Sequence, residues 1–192
     1  MKYLIIIATI FAQLLVIQEA HGYPNGAPKS TCSNLTPGHG KKLSGDHPFN
    51  LTVQIMKSSH EIEVMITPKE NTTIFQGFIL QARKIGDTKP VGEFVAVPDN
   101  TKAVECDHGN DTATHSNTAN KASLTFRWIS PVPFDASIQF HTTIAIKKDS
   151  YWKGIVSSEV PILALDSKAL PSAVTSSTLM FITFVFVCQL FM

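Results

Sequence analysis

The chain has 192 residues, with 16 Lys and Arg against 15 Asp and Glu and a formal net charge of +1. This near balance gives no global basic field, so the composition gives no support for nucleic acid binding. Both ends are far more apolar than a soluble domain requires. Setting them aside leaves roughly 145 residues, the length of one ordinary domain with a real core.

The first 22 residues have the parts of a secretory signal peptide. Lys2 supplies the positive charge, residues 3–17 supply the apolar stretch, and Ala20-His21-Gly22 supplies small residues at a cleavage position. We predict cleavage after Gly22, with cleavage after Ala20 as the alternative. An uncleaved anchor is the competing interpretation, but the apolar run is short for a bilayer span.

Residues 179–192 form a second apolar stretch, about fourteen residues long where a bilayer span takes about twenty. No Lys or Arg follows it to fix an orientation across a membrane. The small, polar residues 167–178 before it resemble the attachment site and spacer of a GPI signal, so residues 167–192 are predicted to be a spacer and an attachment signal. Ser167 is the preferred attachment residue and Ser172 the second. A short tail anchor or simple secretion is the alternative.

Three cysteines are present, and Cys188 lies in the apolar tail. If the tail is removed, Cys32 and Cys106 are the thiols that remain in an oxidising compartment, so we expect a disulfide between them. The bridge would close a loop of about 75 residues and stabilise the fold by roughly 4 kcal/mol.

N-glycosylation sequons occur four times between the two ends, which supports a secretory route. Their asparagines are Asn34, Asn50, Asn71 and Asn110. Asn71 and Asn110 are the preferred sites because both lie in polar loop sequence. Asn34 is the least favoured, because Pro37 follows its sequon and Cys32 is close by.

Residues 23–166 show the alternation of apolar and polar side chains that is typical of β-strands, and no segment repeats apolar residues at helical spacing over several turns. In chain order, the predicted strands cover residues 51–56, 61–66, 75–83, 91–97, 123–128, 138–148, 152–156 and 160–163. A turn is predicted at residues 57–60 and a long polar surface loop at residues 98–121. We expect a sandwich of two antiparallel sheets, and an immunoglobulin-like topology fits the pattern.

Four residues are assigned structural roles. Gly77, between two phenylalanines in an apolar strand, is expected at a bulge or where another backbone passes close by. Trp128 and Trp152 sit in alternating strand sequence and are expected in the core. Arg83, at the end of an apolar strand, is expected to pair with a carboxylate or a loop carbonyl.

No motif for catalysis occurs: there is no Gly-x-Ser-x-Gly, no His-Glu-x-x-His, no phosphate-binding glycine loop and no Cys-x-x-Cys. We therefore predict no catalytic residues, cofactor or metal. His39, His108 and His115 lie nearest the cysteines, but as metal ligands they are widely scattered in the sequence. His115 is better explained by local hydrogen bonds to Thr114 and Asn117.

Short segments in a consistent order along the chain resemble one known family. They are residues 23–28, Cys32, 37–40, 75–83, 90–94, Cys106, 114–117, Lys121, the pair Trp128 and Pro131, and 151–152. The sequence resembles the reeler, or reelin-type, domain, and most closely the small secreted insect defence proteins made of that domain alone. The resemblance also implies the pairing of Cys32 with Cys106 and a single domain, here residues 23–166.

The resemblance implies a non-enzymatic extracellular defence protein that recognises microbial surfaces or promotes blood-cell adhesion. A general matrix or cell-adhesion module is the alternative, with host cell-surface or matrix molecules as partners. A third is a relation to ferric-chelate reductases, which place electron transfer in haem-binding transmembrane helices. The loop at residues 98–121 and the turns at the sandwich ends are the expected contact surfaces. The pairs Lys41-Lys42 and Lys147-Lys148 could contact an anionic surface, although short lysine pairs are more often simply solvated.

Overall fold

A computed structural model describes residues 23–38, 40–56, 60–71, 73–131 and 135–162. Several predictions fall outside these residues: the signal peptide at 1–22, the tail with Ser167, Ser172 and Cys188, the position of His39, and most of the turn at 57–60.

Strands make up the regular structure of the described residues, together with one short 3-10 turn at Lys29–Thr31. The strands are β1 Lys41–Lys42, β2 Phe49–Ile55, β3 Glu61–Pro68, β4 Gly77–Lys84, β5 Glu93–Ala96, β6 Thr101–Val104, β7 Thr112–His115, β8 Leu124–Ile129, β9 Ala136–Lys147, β10 Ser150–Val156 and β11 Val160–Ile162. None of the described residues belongs to a helix of sufficient length and hydropathy to cross a bilayer.

Two sheets form the predicted sandwich. The larger has the order β1-β10-β9-β4-β7-β6, with β11 also pairing with β9, and the smaller has the order β2-β3-β8-β5. Every pairing is antiparallel except that of β1 with β10. The long strand β9 links the parts of the larger sheet, because β10 pairs with its second half and β11 with its first.

Alternation along each strand fills the space between the sheets. In β8, Leu124, Phe126 and Trp128 are buried while the residues between them are exposed, as one inward face requires. Aromatic contacts join the two sheets: the ring centroids of Phe78 and Phe126 are 5.5 Å apart, and those of Trp128 and Phe140 are 5.4 Å apart. All residues of the main core lie between Phe49 and Ile162.

Trp128 is a central core residue, as predicted, with 0% of its surface exposed. Its Nε1–H donates a hydrogen bond to the carbonyl oxygen of Val91, 3.0 Å away, so the indole is buried without an orphaned donor. Gly92 follows with a φ of +66°, and a Cβ there would lie 2.1 Å from Cζ2 of Trp128. The prediction that Trp152 lies in the core is confirmed only in part, because Trp152 is half-buried and packs against the core from outside.

The prediction of a surface loop over residues 98–121 is wrong. This segment contains β6 and β7, and β7 lies between β4 and β6 with Thr112, Ala113 and Thr114 buried. Hydrophobic alternation is weak there because β7 contributes only Ala113 to the main core, and the partly buried Ala103 of β6 packs against it. The threonines are buried through hydrogen bonds instead: the Thr114 hydroxyl donates to the carbonyl of Phe78, and the Thr112 hydroxyl accepts from Gln81.

Candidate functional site

The first described residues, 23–37, cross the outer face of the larger sheet, and we call them the N-terminal strap. Hydrogen bonds fix the strap to three strands. The Ala27 N–H donates to Oγ1 of Thr114 in β7 (3.0 Å), and the Thr143 hydroxyl in β9 donates to the Leu35 carbonyl (2.7 Å). Lys153 in β10 donates to the hydroxyl of Thr36 (2.6 Å). The strap explains why seven of the eight residues of β4 are buried, although β4 has only one face toward the main core.

A disulfide joins the strap to the sheet. Cys32 in the strap and Cys106 in the loop between β6 and β7 are bridged, with Cα atoms 5.6 Å apart. The loop is held by the fully buried carboxylate of Asp111, which accepts from the backbone N–H groups of Cys106 (2.9 Å), Asp107 (2.7 Å) and His108 (2.8 Å). Because a carboxylate accepts such bonds strongly, Asp111 fixes the backbone that carries Cys106.

Arg83 is a second link, and it confirms the predicted pairing with a loop carbonyl. Its Nη2 donates to the carbonyl oxygens of Cys32 (2.8 Å) and Ser33 (3.1 Å). Nε and Nη2 also donate to Oε1 of Gln81, at 2.9 and 2.6 Å. The guanidinium lies on the outer face of β4 and provides hydrogen-bond donors for the strap carbonyls next to the disulfide.

We expect Arg83→Ala to lower the free energy of unfolding by about 1–3 kcal/mol, because the strap carbonyls and Gln81 would lose their donor. Amide exchange at Leu35 should also accelerate, since its N–H bonds within the strap to the Thr31 carbonyl. Urea denaturation and hydrogen exchange measure the two effects. Arg127→Ala is the matched control: Arg127 is 53% exposed in its ion pair with Glu61 and should cost less than about 1 kcal/mol. Equal losses in the two variants would contradict the linking role of Arg83.

Between the strap and the sheet lies a cleft of about 280 Å³, which we call the strap cleft. Its floor contains two cross-strand pairs of β4 and β9, Gly77 with Ala145 and Ile79 with Thr143. Apolar and small residues of the strap form the opposite wall of the cleft. Lys147 and Lys148 line the cleft at the end of β9. The strap residues that line it are Tyr23, Pro24, Ala27, Pro28, Thr31 and Pro37.

Gly77 leaves space in the floor of the strap cleft. The prediction that another backbone passes close to Gly77 is wrong. A Cβ at Gly77 would meet side chains, Cε1 of His115 at 3.3 Å and Cβ of Ala145 at 3.6 Å, rather than a passing backbone. The small residues Gly77 and Ala145 face each other across β4 and β9, so the floor is low where they meet. The cleft therefore results from missing side-chain volume under the strap.

His115 forms one wall of the strap cleft and is structural, as predicted. Its Nδ1 accepts from the Phe78 N–H (3.2 Å), and its Nε2 lies 3.0 Å from the Tyr23 carbonyl, to which a protonated Nε2 donates. The Thr114 hydroxyl lies 3.3 Å from Nδ1, but the predicted partner Asn117 bonds to Asn100 instead. Burial lowers the pKa of His115, so the imidazole is neutral in the folded protein near pH 7.

The lowered pKa of His115 predicts a loss of stability in mild acid. The unfolded chain binds a proton at His115 near pH 6.5, while the folded protein resists it, so the stabilisation is complete above about pH 6.5 and falls as the pH drops below that value. Burial also lowers the pKa of His141, which adds to the same trend. Urea denaturation at pH 7.5, 6.5 and 5.5 measures it. We expect His115→Gln to flatten the decline, and an unchanged slope in that variant would contradict the assignment.

The structure brings the two lysine pairs of the sequence together. Lys41 in β1 and Lys147 in β9 both pair with Ser150 at the start of β10, so the pairs flank the turn between β9 and β10. Nearby, the buried Nζ of Lys121 donates to the carbonyls of Gln76, Asn117 and Ala119. Among the described residues that line the strap cleft, none carries a carboxylate.

The remaining predicted site residues are scattered. Asn34, Asn50, Asn71 and Asn110 are all exposed, and their glycosylation stays a prediction. His108 is exposed beside Asp107 and Asp111, with Nδ1 3.7 and 3.9 Å from their carboxylates. In the part of the chain that the structure describes, no group of three or more His, Cys, Asp or Glu side chains is placed to hold a metal ion.

The fold and the strap define the class of protein: an all-β sandwich domain whose N-terminal segment is held on the sheet by a disulfide. Residues 30–166 match the family described as the Reeler domain. The chain belongs to the reeler domain family, in agreement with the resemblance seen in the sequence.

Three proteins illustrate what the chain is similar to. "Putative defense protein 3" of Antheraea mylitta is 31% identical over 160 residues, which span 82% of this chain and 97% of that protein. "Putative ferric-chelate reductase 1" of Danio rerio is 29% identical over 72% of this chain, but this match spans only 25% of the reductase. The Reelin-N domain of F-spondin shares the fold, with a TM-score of 0.51 and 16% identity, over 65% of this chain and 92% of that domain.

Proposed function

We propose that the protein is a non-enzymatic extracellular defence protein that recognises microbial surfaces or promotes blood-cell adhesion. The observation that carries the proposal is the similarity to a protein named for defence over 97% of that protein's length. The disulfide between Cys32 and Cys106 supports an extracellular location, because such bonds persist in oxidising compartments. Recognition would then be a matter of surface contact by a rigid sandwich.

A binding experiment on whole cells tests this function. The mature protein, produced in a eukaryotic host, is incubated with intact bacteria, intact yeast and blood cells, and the bound fraction is measured after washing. We expect retention on microbes, or clustering of blood cells around them, that exceeds retention on inert beads. Binding at the level of the beads for every cell type would contradict the proposal.

A general matrix or cell-adhesion module is the second candidate. The chain shares its sandwich fold with the Reelin-N domain of F-spondin, and at 16% identity that likeness concerns the fold alone. Binding to extracellular matrix or to host cells, with no retention on microbes, would favour this candidate over defence. We do not propose ferric reduction, because the similar reductase matches over only a quarter of its length.

We also propose that residues 167–192 direct attachment of a GPI anchor at Ser167, based on the small polar stretch before the apolar tail. Treatment of expressing cells with a phosphatidylinositol-specific phospholipase should then release the protein into the medium. Protein that stays on the cells after treatment would contradict the lipid anchor.

A further inference from the structure

The strap cleft has the features of a ligand site for a small amphiphile, which goes beyond the proposed recognition of cell surfaces. Ligand pockets in proteins are concave and mostly apolar, with a few polar groups that fix orientation, and range from about 300 to 1,000 Å³. The strap cleft, at about 280 Å³, lies just below this range and is lined mainly by apolar and small residues. Its size suits one apolar chain rather than two.

The shape of the floor suits a ligand whose acyl chain is extended. Gly77 and Ala145, and then Ile79 and Thr143, form successive rows across β4 and β9 under the strap. The Thr143 hydroxyl is already used by the Leu35 carbonyl, so this row presents little unsatisfied polarity to a ligand. Tyr23 and the prolines of the strap supply the opposite apolar wall.

Lysines outnumber acidic groups around the strap cleft, which favours an anionic headgroup. Lys147 and Lys148 line the cleft, and Lys41 and Lys42 lie beside the same turn in β1. Lys102 and Lys121 are close enough to lower the pKa of His115 on its wall. The nearest acidic group to Lys147 is Asp149, at 3.9 Å in an exposed pair. Exposed pairs of this kind are weak, so a bound carboxylate can share the lysine.

We propose that the strap cleft binds a long-chain carboxylate, with the acyl chain against Gly77, Ile79 and Ala145 and the headgroup at Lys147 and Lys148. The proposal joins two observations that are independent of each other, the apolar space under the strap and the lysines at its end. No other function of the chain has to hold for this site to exist.

Isothermal titration calorimetry with the mature protein, produced in a eukaryotic host, and dodecanoate, kept below its micelle concentration, tests the proposal. We expect saturable one-to-one binding of dodecanoate. Dodecyltrimethylammonium has the same chain with the opposite charge, and it should bind at least roughly tenfold more weakly. Equal binding of the two amphiphiles, or no binding of dodecanoate, would overturn the proposal.

Two variants locate the site. Ala145→Leu fills the floor of the cleft from a half-buried position on the outer face, and it should weaken dodecanoate binding by about tenfold or more. Ala122→Leu, at an exposed alanine that does not line the cleft, is its matched control and should bind normally. Retained binding by Ala145→Leu, with an unfolding midpoint equal to that of the parent protein, would overturn the location.

The headgroup contact is tested by charge reversal. The double variant Lys147→Glu/Lys148→Glu changes two exposed side chains and should weaken dodecanoate binding by roughly tenfold while leaving the fold intact. Lys89→Glu is the control, because Lys89 is exposed in the loop after β4, beyond the strand end opposite to Gly77. If the double variant and the control bind dodecanoate equally well, the lysines do not hold the headgroup.

Discussion

Replacing both bridged cysteines, in the variant Cys32→Ala/Cys106→Ala, should lower the free energy of unfolding by about 4 kcal/mol. The two residues are separated by 74 positions, and releasing a loop of this size restores a large conformational entropy to the unfolded chain. Denaturant unfolding of the variant and the parent protein measures the difference. A loss below about 1 kcal/mol would contradict the stabilising role of the bridge.

The same variant should also loosen the strap in the folded state. Amide exchange at Ala27 and Leu35, whose N–H groups are bonded in the folded protein, is expected to accelerate far more than exchange in β3 and β8 of the smaller sheet. The variant Cys32→Ser/Cys106→Ser controls for the change of side chain. Acceleration of similar size throughout the protein would show that the bridge acts only on global unfolding.

Trp128→Ala should lower the free energy of unfolding by about 3–5 kcal/mol. The indole is fully buried in β8, packs edge-on against Phe140 of the opposite sheet, and bonds to the Val91 carbonyl. Its removal leaves a cavity between the sheets and an unsatisfied acceptor, and the surrounding core relaxes only in part. Thermal and urea unfolding both measure the effect.

Trp152→Ala is the matched control for this prediction. Trp152 lies in β10 and is only half-buried, so its truncation should cost markedly less than that of Trp128. Trp128→Phe separates packing from hydrogen bonding, because it keeps much of the ring and removes the donor. Similar losses for Trp128→Ala and Trp152→Ala would place the core elsewhere than between the two sheets.

Sequence reasoning succeeded where side-chain hydrophobicity decides the structure. The alternation around Trp128 predicted β8 and its inward face, and the charge on Arg83 at a strand end predicted its pairing with a carbonyl. These are local signals: the period of a strand and the need of a buried guanidinium for acceptors are both visible in a short window.

Sequence reasoning failed where contacts between distant parts of the chain decide the structure. β7 was missed because Thr112 and Thr114 are buried through hydrogen bonds that depend on Gln81 and Phe78, more than thirty positions away. Leu35 has a left-handed backbone with φ +53°, and nothing in its local sequence indicates that conformation.

The strap cleft could not be predicted because it depends on several separate segments. Gly77 and Ala145 become partners only through the pairing of β4 with β9, and the strap then covers them. The one available sign was the proline-rich, small-residue character of residues 23–37, which is not a strand pattern.

The main core ends at Phe49 on its N-terminal side, so the strap contributes nothing to it. Leu35 is instead buried on the outer face, as are Ile79 and Tyr151, outside that core. Opening of the strap alone would therefore cost less free energy than complete unfolding, which would also expose the residues between the sheets. A molecule bound in the strap cleft would add its binding free energy to the form in which the strap lies on the sheet, and would make such opening rarer.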